Sequence, residues 1–179
     1  MNRGNAELNA FAVEQLALAS RDRVLEVGFG GGVALKSLLQ KADQVSGIDR
    51  SEDAVKAARK RFGREVGTGR AEFRSGAVEA LPFAEAAFDK ALSVNTVYFW
   101  SSLDGGLAEI ARVLKRDGRI AVGFVPKARM DRMNFPPDIF TPREPEDLTA
   151  TMAGVGFTEV KLRQPKPESV WMVATGVRA

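Results

Sequence analysis

The stretch Val24 to Val33, V-L-E-V-G-F-G-G-G-V, restricts the fold more than any other part of the chain. Val24 to Val27 are β-rich and apolar apart from Glu26, which is the pattern of a buried strand. They run straight into Gly28, Gly30, Gly31 and Gly32, and an apolar pattern with helical spacing then begins. Strand, glycine turn and helix open a nucleotide-binding α/β unit. Glycine is needed there because the turn visits φ > 0 and brings backbone N–H groups against a ligand with no Cβ between them. Spacing separates the ligands. A dinucleotide fingerprint G-x-G-x-x-G started at Gly28 ends on glycine at position 33, and Val33 stands there. The string is instead E-x-G-x-G-G-G, with an acid on the strand two residues before the first glycine. That acid repels a pyrophosphate and suits an ammonium or a sulfonium.

The rest of the chain supplies the alternating elements that such a unit needs. A first helix is expected over Ala6 to Ala19, capped by Asn5, with Leu8, Phe11, Ala12, Leu16 and Ala19 as its apolar stripe. After the glycine turn, Val33 to Lys41 reads as a helix and Gln44 to Ile48 as the second strand. Asp49 ends that strand 21 residues beyond Gly28, where an acid takes both hydroxyls of a ribose; a helix cap is the alternative role. Asp53 to Phe62 follows as a helix stopped by Gly63, and its run of Lys56, Arg59, Lys60, Arg61 and Arg64 reads as a solvated face. Gly63 to Arg70 is a loop and Ala71 to Arg74 a short third strand.

Lys90 to Val94 is the fourth strand, and its carboxyl end runs into N-T-V-Y-F-W, Asn95 to Trp100. Ligands of open α/β sheets bind beyond that end of the strands, so at least one of Tyr98, Phe99 and Trp100 should line the cavity. Tyr98, with its polar tip, ranks first. A helix capped by Ser101 or Ser102 ends at Gly118, and Arg119 to Val125 is the fifth strand. Pro126 to Thr141 holds Met130, Met133 and Phe135 and reads as an adaptable lid or a short helix. A helix from about Glu146 to Ala153 and two strands, Phe157 to Arg163 and Ser169 to Val177, close the chain as an antiparallel hairpin.

Composition narrows the function classes. The 179 residues fit a single domain over 1–179 with an ordinary core. A hydrophobic share of 45% and a charged share of 27% are those of a soluble globular protein, and a formal charge of +3 is too weak to argue for nucleic acid. The chain has neither cysteine nor histidine, so no disulfide, no thiolate metal site and no imidazole base is expected. No apolar run approaches the length of a membrane span, and a cytoplasmic enzyme is the default expectation.

Several pieces resemble one family. E-x-G-x-G-G-G at Glu26 to Gly32 is similar to motif I of the class I S-adenosylmethionine-dependent methyltransferases, and I-D-R-S at Ile48 to Ser51 resembles their post-I motif. G-A-V-E-A-L-P-F, Gly76 to Phe83, resembles motif II of the small-molecule methyltransferases, with Ala77 in the place of the acid that grips the adenine amino group. Phe88-Asp89 before the fourth strand and L-x-x-x-G-R-I at Leu114 to Ile120 extend the likeness. The resemblance implies a doubly wound, mostly parallel α/β sheet of seven strands in order 3-2-1-4-5-7-6 with a C-terminal antiparallel hairpin. It also implies S-adenosylmethionine as cofactor, S-adenosylhomocysteine as product, no metal, and in-line methyl transfer to a small-molecule acceptor. In that frame Glu26 favours the cationic end of the cofactor, Gly28, Phe29, Gly30 and Gly32 give it room, and Asp49 and Arg50 flank the ribose. Ala77 and Val78 flank the adenine, and Asn95 approaches the methionine part. Tyr98, Phe99, Trp100, Met130, Met133 and Phe135 line the acceptor side, and no residue is required as a general base. Two other readings remain at this point: a cofactor-binding module without transferase activity, and a nicotinamide-dependent reductase. The reductase reading also wants Tyr-x-x-x-Lys, whereas Tyr98 is followed by Ser102.

Overall fold

The computed structural model describes residues 3–133, 136 and 139–179, with Arg3 described by its backbone alone. In chain order the elements are α1 (Arg3–Gln15), β1 (Arg23–Val27), α2 (Leu35–Lys41), β2 (Gln44–Asp49), α3 (Glu52–Arg61), α4 (Gly63–Gly67), β3 (Ala71–Ser75) and β4 (Phe88–Val94). There follow α5 (Leu103–Val113), β5 (Leu114–Phe124), α6 (Lys127–Met130), α7 (Pro145–Gly154), β6 (Phe157–Arg163) and β7 (Met172–Arg178). Short 3-10 turns at Val78–Ala80 and Val97–Phe99 lie between strands and helices.

The strands form one seven-stranded sheet in order β3-β2-β1-β4-β5-β7-β6. β1 pairs parallel with β2 and β4, and β7 lies antiparallel between β5 and β6. This is the sheet that the resemblance implies. A dinucleotide-binding sheet has order 3-2-1-4-5-6 instead, so the reductase reading fails on topology as well as on spacing.

Strand alternation divides the core in two. Leu25 and Val27 of β1, with Ile120 and Val122 of β5, pack under α5 and α7 against Leu107, Ile110, Leu148 and Met152. Val24, Val45 and Leu92 face the other way, against Leu8 and Leu16 at α1 and Leu35 and Leu38 of α2. Glu26 has the parity of Val24 and therefore belongs to the face that α1 and α2 cover. The crossovers leave the sheet in opposite directions on either side of β1 and β4, and a crevice opens beyond the ends of those two strands.

Several boundaries differ from the sequence expectation. Helix α1 starts at Arg3, so Asn5 lies inside its first turn and is not its cap; Ala17, at φ 50°, marks the left-handed break that keeps the helix from reaching Ala19. The glycine turn consumes residues through Ala34, with Gly32 N–H donating to Phe29 O at 2.7 Å, so α2 begins at Leu35. Gly63 does not end the helical path: the chain breaks at Phe62 and turns again as α4 inside the expected loop. Gly118 is not a helix stop either. Helix α5 ends at Val113, Asp117 takes the left-handed conformation (φ 62°), and Gly118 sits where a Cβ would lie 2.7 Å from Lys115 O. Gly118 thus permits a tight bend within β5. β7 starts at Met172, because the preceding Trp171 is buried against Phe11 of α1 at 5.6 Å between ring centroids.

Candidate active site

The crevice holds a cavity of about 510 Å³. Its floor is the end of β1 and the glycine turn. Gly28, Gly30 and Gly32 all have positive φ (72°, 48° and 68°), the backbone state that Cβ-bearing residues rarely take. Gly28 has a second reason to be glycine: Thr96 fills the space beside it, and a Cβ there would stand 2.3 Å from Thr96 Cγ2. Gly30 has open space around it, and with Gly28, Phe29 and Gly31 it lines the cavity. The Phe29 ring turns away into the core, edge-on to Phe73 at 5.5 Å, so only its backbone side serves the wall.

Asp49 locks this turn to the end of β2. One carboxylate oxygen accepts the Gly30 N–H at 2.7 Å and the other accepts the Ser51 N–H at 2.9 Å. A carboxylate offers about four lone-pair positions, so both oxygens retain capacity toward the cavity, which Asp49 lines. The capping role belongs to Ser51, whose hydroxyl accepts the Ala54 N–H at 3.2 Å.

Glu26 is the site's electrostatic anomaly. It is 3% exposed, it lines the cavity, and its Oε2 has no hydrogen-bond partner among the described residues. Burial first, and then the neighbouring charge of Asp49, push its carboxyl up to about 8. Both causes favour the protonated form of this carboxyl, and a cation beside it would favour the carboxylate. A buried polar atom without a partner is costly, so this oxygen has capacity for a donor that enters the cavity.

At the end of β4, Asn95 adopts φ 57° and turns the chain into the 3-10 turn Val97–Phe99. This turn sorts the three aromatics differently from the expectation. Tyr98 points inward and is not on the wall: it is 3% exposed and its hydroxyl accepts the Val125 N–H. Burial raises its phenol well above the ordinary range. Phe99 and Trp100 line the cavity instead. Phe99 is braced from two sides, by Phe140 at 4.8 Å between ring centroids and by Arg50, whose Nη1 donates to the Phe99 carbonyl at 3.3 Å.

The structure therefore brings ten of the sequence-derived residues to one cavity: Glu26, Gly28, Phe29, Gly30, Asp49, Arg50, Val78, Asn95, Phe99 and Trp100. Gly32 and Ala77 are not on its wall; Gly32 tightens the turn behind it, packing toward Leu35, and Gly76 lines the wall where Ala77 does not. Met130 is buried in the core under α5 and α7, and Met133 is exposed, so neither lines the cavity. Apolar burial of Met130 competes successfully with any lid role for that turn. Phe135 lies outside the described residues.

Three wall residues carry no local signal of this kind. Asn5 and Asn9 come from α1, one helical turn apart. An asparagine pair at i and i+4 beside an apolar stripe is the pattern that could have pointed to them. Glu79 lines the cavity, and its Oε1 accepts from Ser101 N at 2.7 Å, Ser101 Oγ at 2.8 Å and Ser102 N at 3.3 Å. Burial pulls that carboxyl upward, and the hydrogen bonds from Ser101 and Ser102 outweigh it, so it is held below the ordinary range. Of the basic run on α3, Arg59 is tied to Phe73 O at 2.6 Å and Arg61 reaches Gly31 O at 3.3 Å, bracing the sheet and the turn. Among the described residues no group of three or more His, Cys, Asp and Glu is placed to hold a metal ion, and no helix is long and apolar enough to cross a membrane.

An acid on β1, a glycine turn, an acid ending β2 and the 3-2-1-4-5-7-6 sheet define a class I S-adenosylmethionine-dependent methyltransferase. The family model described as a methyltransferase domain matches residues 25–122, more than half of the chain, and the chain belongs to that family. The uncharacterised methyltransferase YdaC of Bacillus subtilis is 33% identical over 125 residues, 69% of this chain and 67% of YdaC. The first curated relatives that the chain matches are covered over 38% to 67% of their own length. Among solved structures, the YcgJ protein of Bacillus subtilis superposes with a TM-score of 0.82 at 16% identity, covering 96% of this chain and 98% of that one. The geranyl diphosphate C-methyltransferase of Streptomyces coelicolor, solved with S-adenosylhomocysteine, gives a TM-score of 0.80 at 14% identity, covering 97% of this chain and 79% of that one. Family and fold together support S-adenosylmethionine-dependent methyl transfer.

Proposed function

We propose that residues 1–179 act as one catalytic unit that transfers a methyl group from S-adenosylmethionine to a small-molecule acceptor by in-line displacement. The observation that carries this reading is the buried Glu26 oxygen left without a partner on the wall of the cavity. It fits an ammonium, which no other buried wall group matches. When bound, the cofactor supplies an activated methyl on a sulfonium with a good leaving group.

The chain's own residues supply position and dryness. Glu26 holds the ammonium end as a carboxylate. The Gly28–Gly32 turn brings backbone, with no Cβ, against the ligand. Asp49 uses its remaining lone pairs for two ribose hydroxyls, while Gly76 and Val78 border the adenine end. Phe99 and Trp100, in the place expected of Tyr98, cover the reacting end, exclude water and present ring faces to the cation. A cavity of about 510 Å³ suits a cofactor with a small acceptor better than a macromolecular one.

S-adenosylhomocysteine at about a hundredfold its Kd is expected to stabilise the fold by about 2.7 kcal/mol, read as a rise in Tm, and NAD is expected to do nothing. Stabilisation by NAD alone would refute the cofactor assignment. Replacing Asp49 with Ala removes the ribose partner and should weaken S-adenosylhomocysteine binding by roughly 1–3 kcal/mol in a calorimetric titration. Unchanged affinity would leave Asp49 only its bracing of Gly30 and Ser51.

A further inference from the structure

Asn5, Asn9 and Asn95 meet on the wall of the cavity, where α1 crosses the end of β4. Asn9 Nδ2 donates to the backbone carbonyl of Asn5 at 2.7 Å, which fixes which end of the Asn9 amide is the donor. The same nitrogen lies 3.0 Å from Asn5 Oδ1, and Asn95 Nδ2 donates to that oxygen at 3.1 Å. Asn95 Oδ1 in turn faces the Tyr98 hydroxyl at 3.4 Å. The chain of bonds leaves Asn5 Nδ2 with two N–H groups that no described residue accepts.

Among the described residues the carboxyls on the wall are Glu26, Asp49 and Glu79. On the reading above Glu26 meets the cofactor's ammonium and Asp49, besides two backbone N–H groups, the ribose; Glu79 holds Ser101 and Ser102 through Oε1 alone, and those bonds keep its carboxyl below the ordinary range, which makes it a weak base. The chain has no histidine or cysteine, and the Tyr98 hydroxyl is engaged by Val125. Among the described wall residues this leaves no strong base for an acceptor's proton. The wall's one cation among them, Arg50, is turned to the Phe99 carbonyl, so a carboxylate or phosphate finds no forked partner.

We propose that Asn5, Asn9 and Asn95 form the acceptor subsite, Asn95 facing the acceptor and not the methionine part where the family resemblance puts it, and that it takes a small thiol already ionised to its thiolate, a refinement that rests on the methyl-transfer reading above. The N–H groups of Asn5 that no described residue accepts hold the anion, and Phe99 and Trp100 offer polarisable sulfur an apolar wall. The thiolate sulfur forms a new bond to the methyl carbon as the sulfonium's S–CH3 bond breaks, and the bonding pair leaves on the departing sulfur. The negative and positive charges cancel. The thiol's proton has gone to solvent before binding, and none passes to the protein.

The test compares benzenethiol, phenol and aniline at pH 7 with saturating S-adenosylmethionine. Benzenethiol is expected to be at least about a hundredfold better in kcat/KM, because phenols ionise near 10 and the site supplies no strong base. Across ring-substituted benzenethiols, the acid limb of the profile should follow each thiol's own pKa. A limb fixed at one pH, or preference for phenol or aniline, overturns the proposal. Asn5→Asp keeps the acceptor of both hydrogen bonds and exchanges those N–H groups for a charged oxygen. It should lower kcat/KM for benzenethiol by about thirtyfold and weaken calorimetric binding of the thiol to the S-adenosylhomocysteine complex as much, through like-charge repulsion. Cofactor affinity should not fall. Unchanged acceptor kinetics in that variant refute the subsite. Cofactor binding without thiol turnover defeats this inference alone, whereas no cofactor binding defeats the reading beneath it.

Discussion

Replacing Glu26 with Gln is expected to make the ligand-free protein more stable at alkaline pH and to remove most of its cofactor affinity. The Glu26 carboxyl is raised from 4.5 to about 8 in the fold. Below the unfolded value both states are protonated and the group has no effect on stability. Between the two values the unfolded chain is ionised and the folded one is not, so folding takes up a proton and stability falls as pH rises. Above the folded value the full deficit is in place, on the order of 3–5 kcal/mol. Glutamine carries no such deficit, so urea midpoints of the two proteins should separate progressively between pH 5 and pH 9, with the variant the more stable. The same variant lacks the charge that meets an ammonium, and S-adenosylhomocysteine binding should weaken by roughly 1.5–3 kcal/mol. Parallel pH–stability curves would mean that Glu26 is solvated or paired in solution. On this account the acid is a local weakness of the fold that a bound ammonium would relieve.

The second large effect is expected at Gly28. Alanine there meets two separate obstacles: the backbone is at φ 72°, and the new Cβ would lie 2.3 Å from Thr96 Cγ2 and 2.8 Å from Thr96 Cβ. The left-handed conformation costs about 1–2 kcal/mol for a Cβ-bearing residue, and forcing an extra methyl into a packed site about 1–3 kcal/mol. Gly30 separates the two contributions. Its φ is 48°, and a Cβ there meets nothing within 4 Å, so Gly30→Ala should show the backbone part alone. Thr96→Ser removes the clashing methyl and keeps the hydroxyl that pairs with Ser93. The double variant Gly28→Ala/Thr96→Ser should therefore recover part of the stability lost by Gly28→Ala. A neutral Gly28→Ala in urea denaturation would show that the turn relaxes away from Thr96.

The site was legible in the sequence where its chemistry is written in local spacing. Glu26, the glycines and Asp49 belong to consecutive elements of one β-turn-α-β unit, so their separations along the chain nearly fix their separations in space. The doubly wound sheet was legible because strands alternate with helices, whereas the strand order came from the family resemblance and not from the pattern itself. What could not be read depends on approach between distant segments. Asn5 reaches Asn95 across 90 positions, and nothing near either residue announces the other. Tyr98 was ranked above Phe99 and Trp100 for its polar tip, but the turn begun by the left-handed Asn95 rotates Tyr98 inward, where Val125 offers its hydroxyl an N–H. Met130 had the composition of a lid residue and the burial of a core residue, and only packing distinguishes the two. Nothing beside Glu79 in the sequence announces its place on the wall, because its partners, Ser101 and Ser102, arrive from beyond the next strand.

The most direct measurement of the central claim is the number of protons released when S-adenosylhomocysteine binds. It is obtained by isothermal titration at pH 7 in buffers of different ionisation enthalpy. With its carboxyl raised to about 8, Glu26 would give up its proton at pH 7 on meeting the ligand's ammonium, so the account predicts binding with release of close to one proton. Binding with no proton release, or no binding at all, would contradict it.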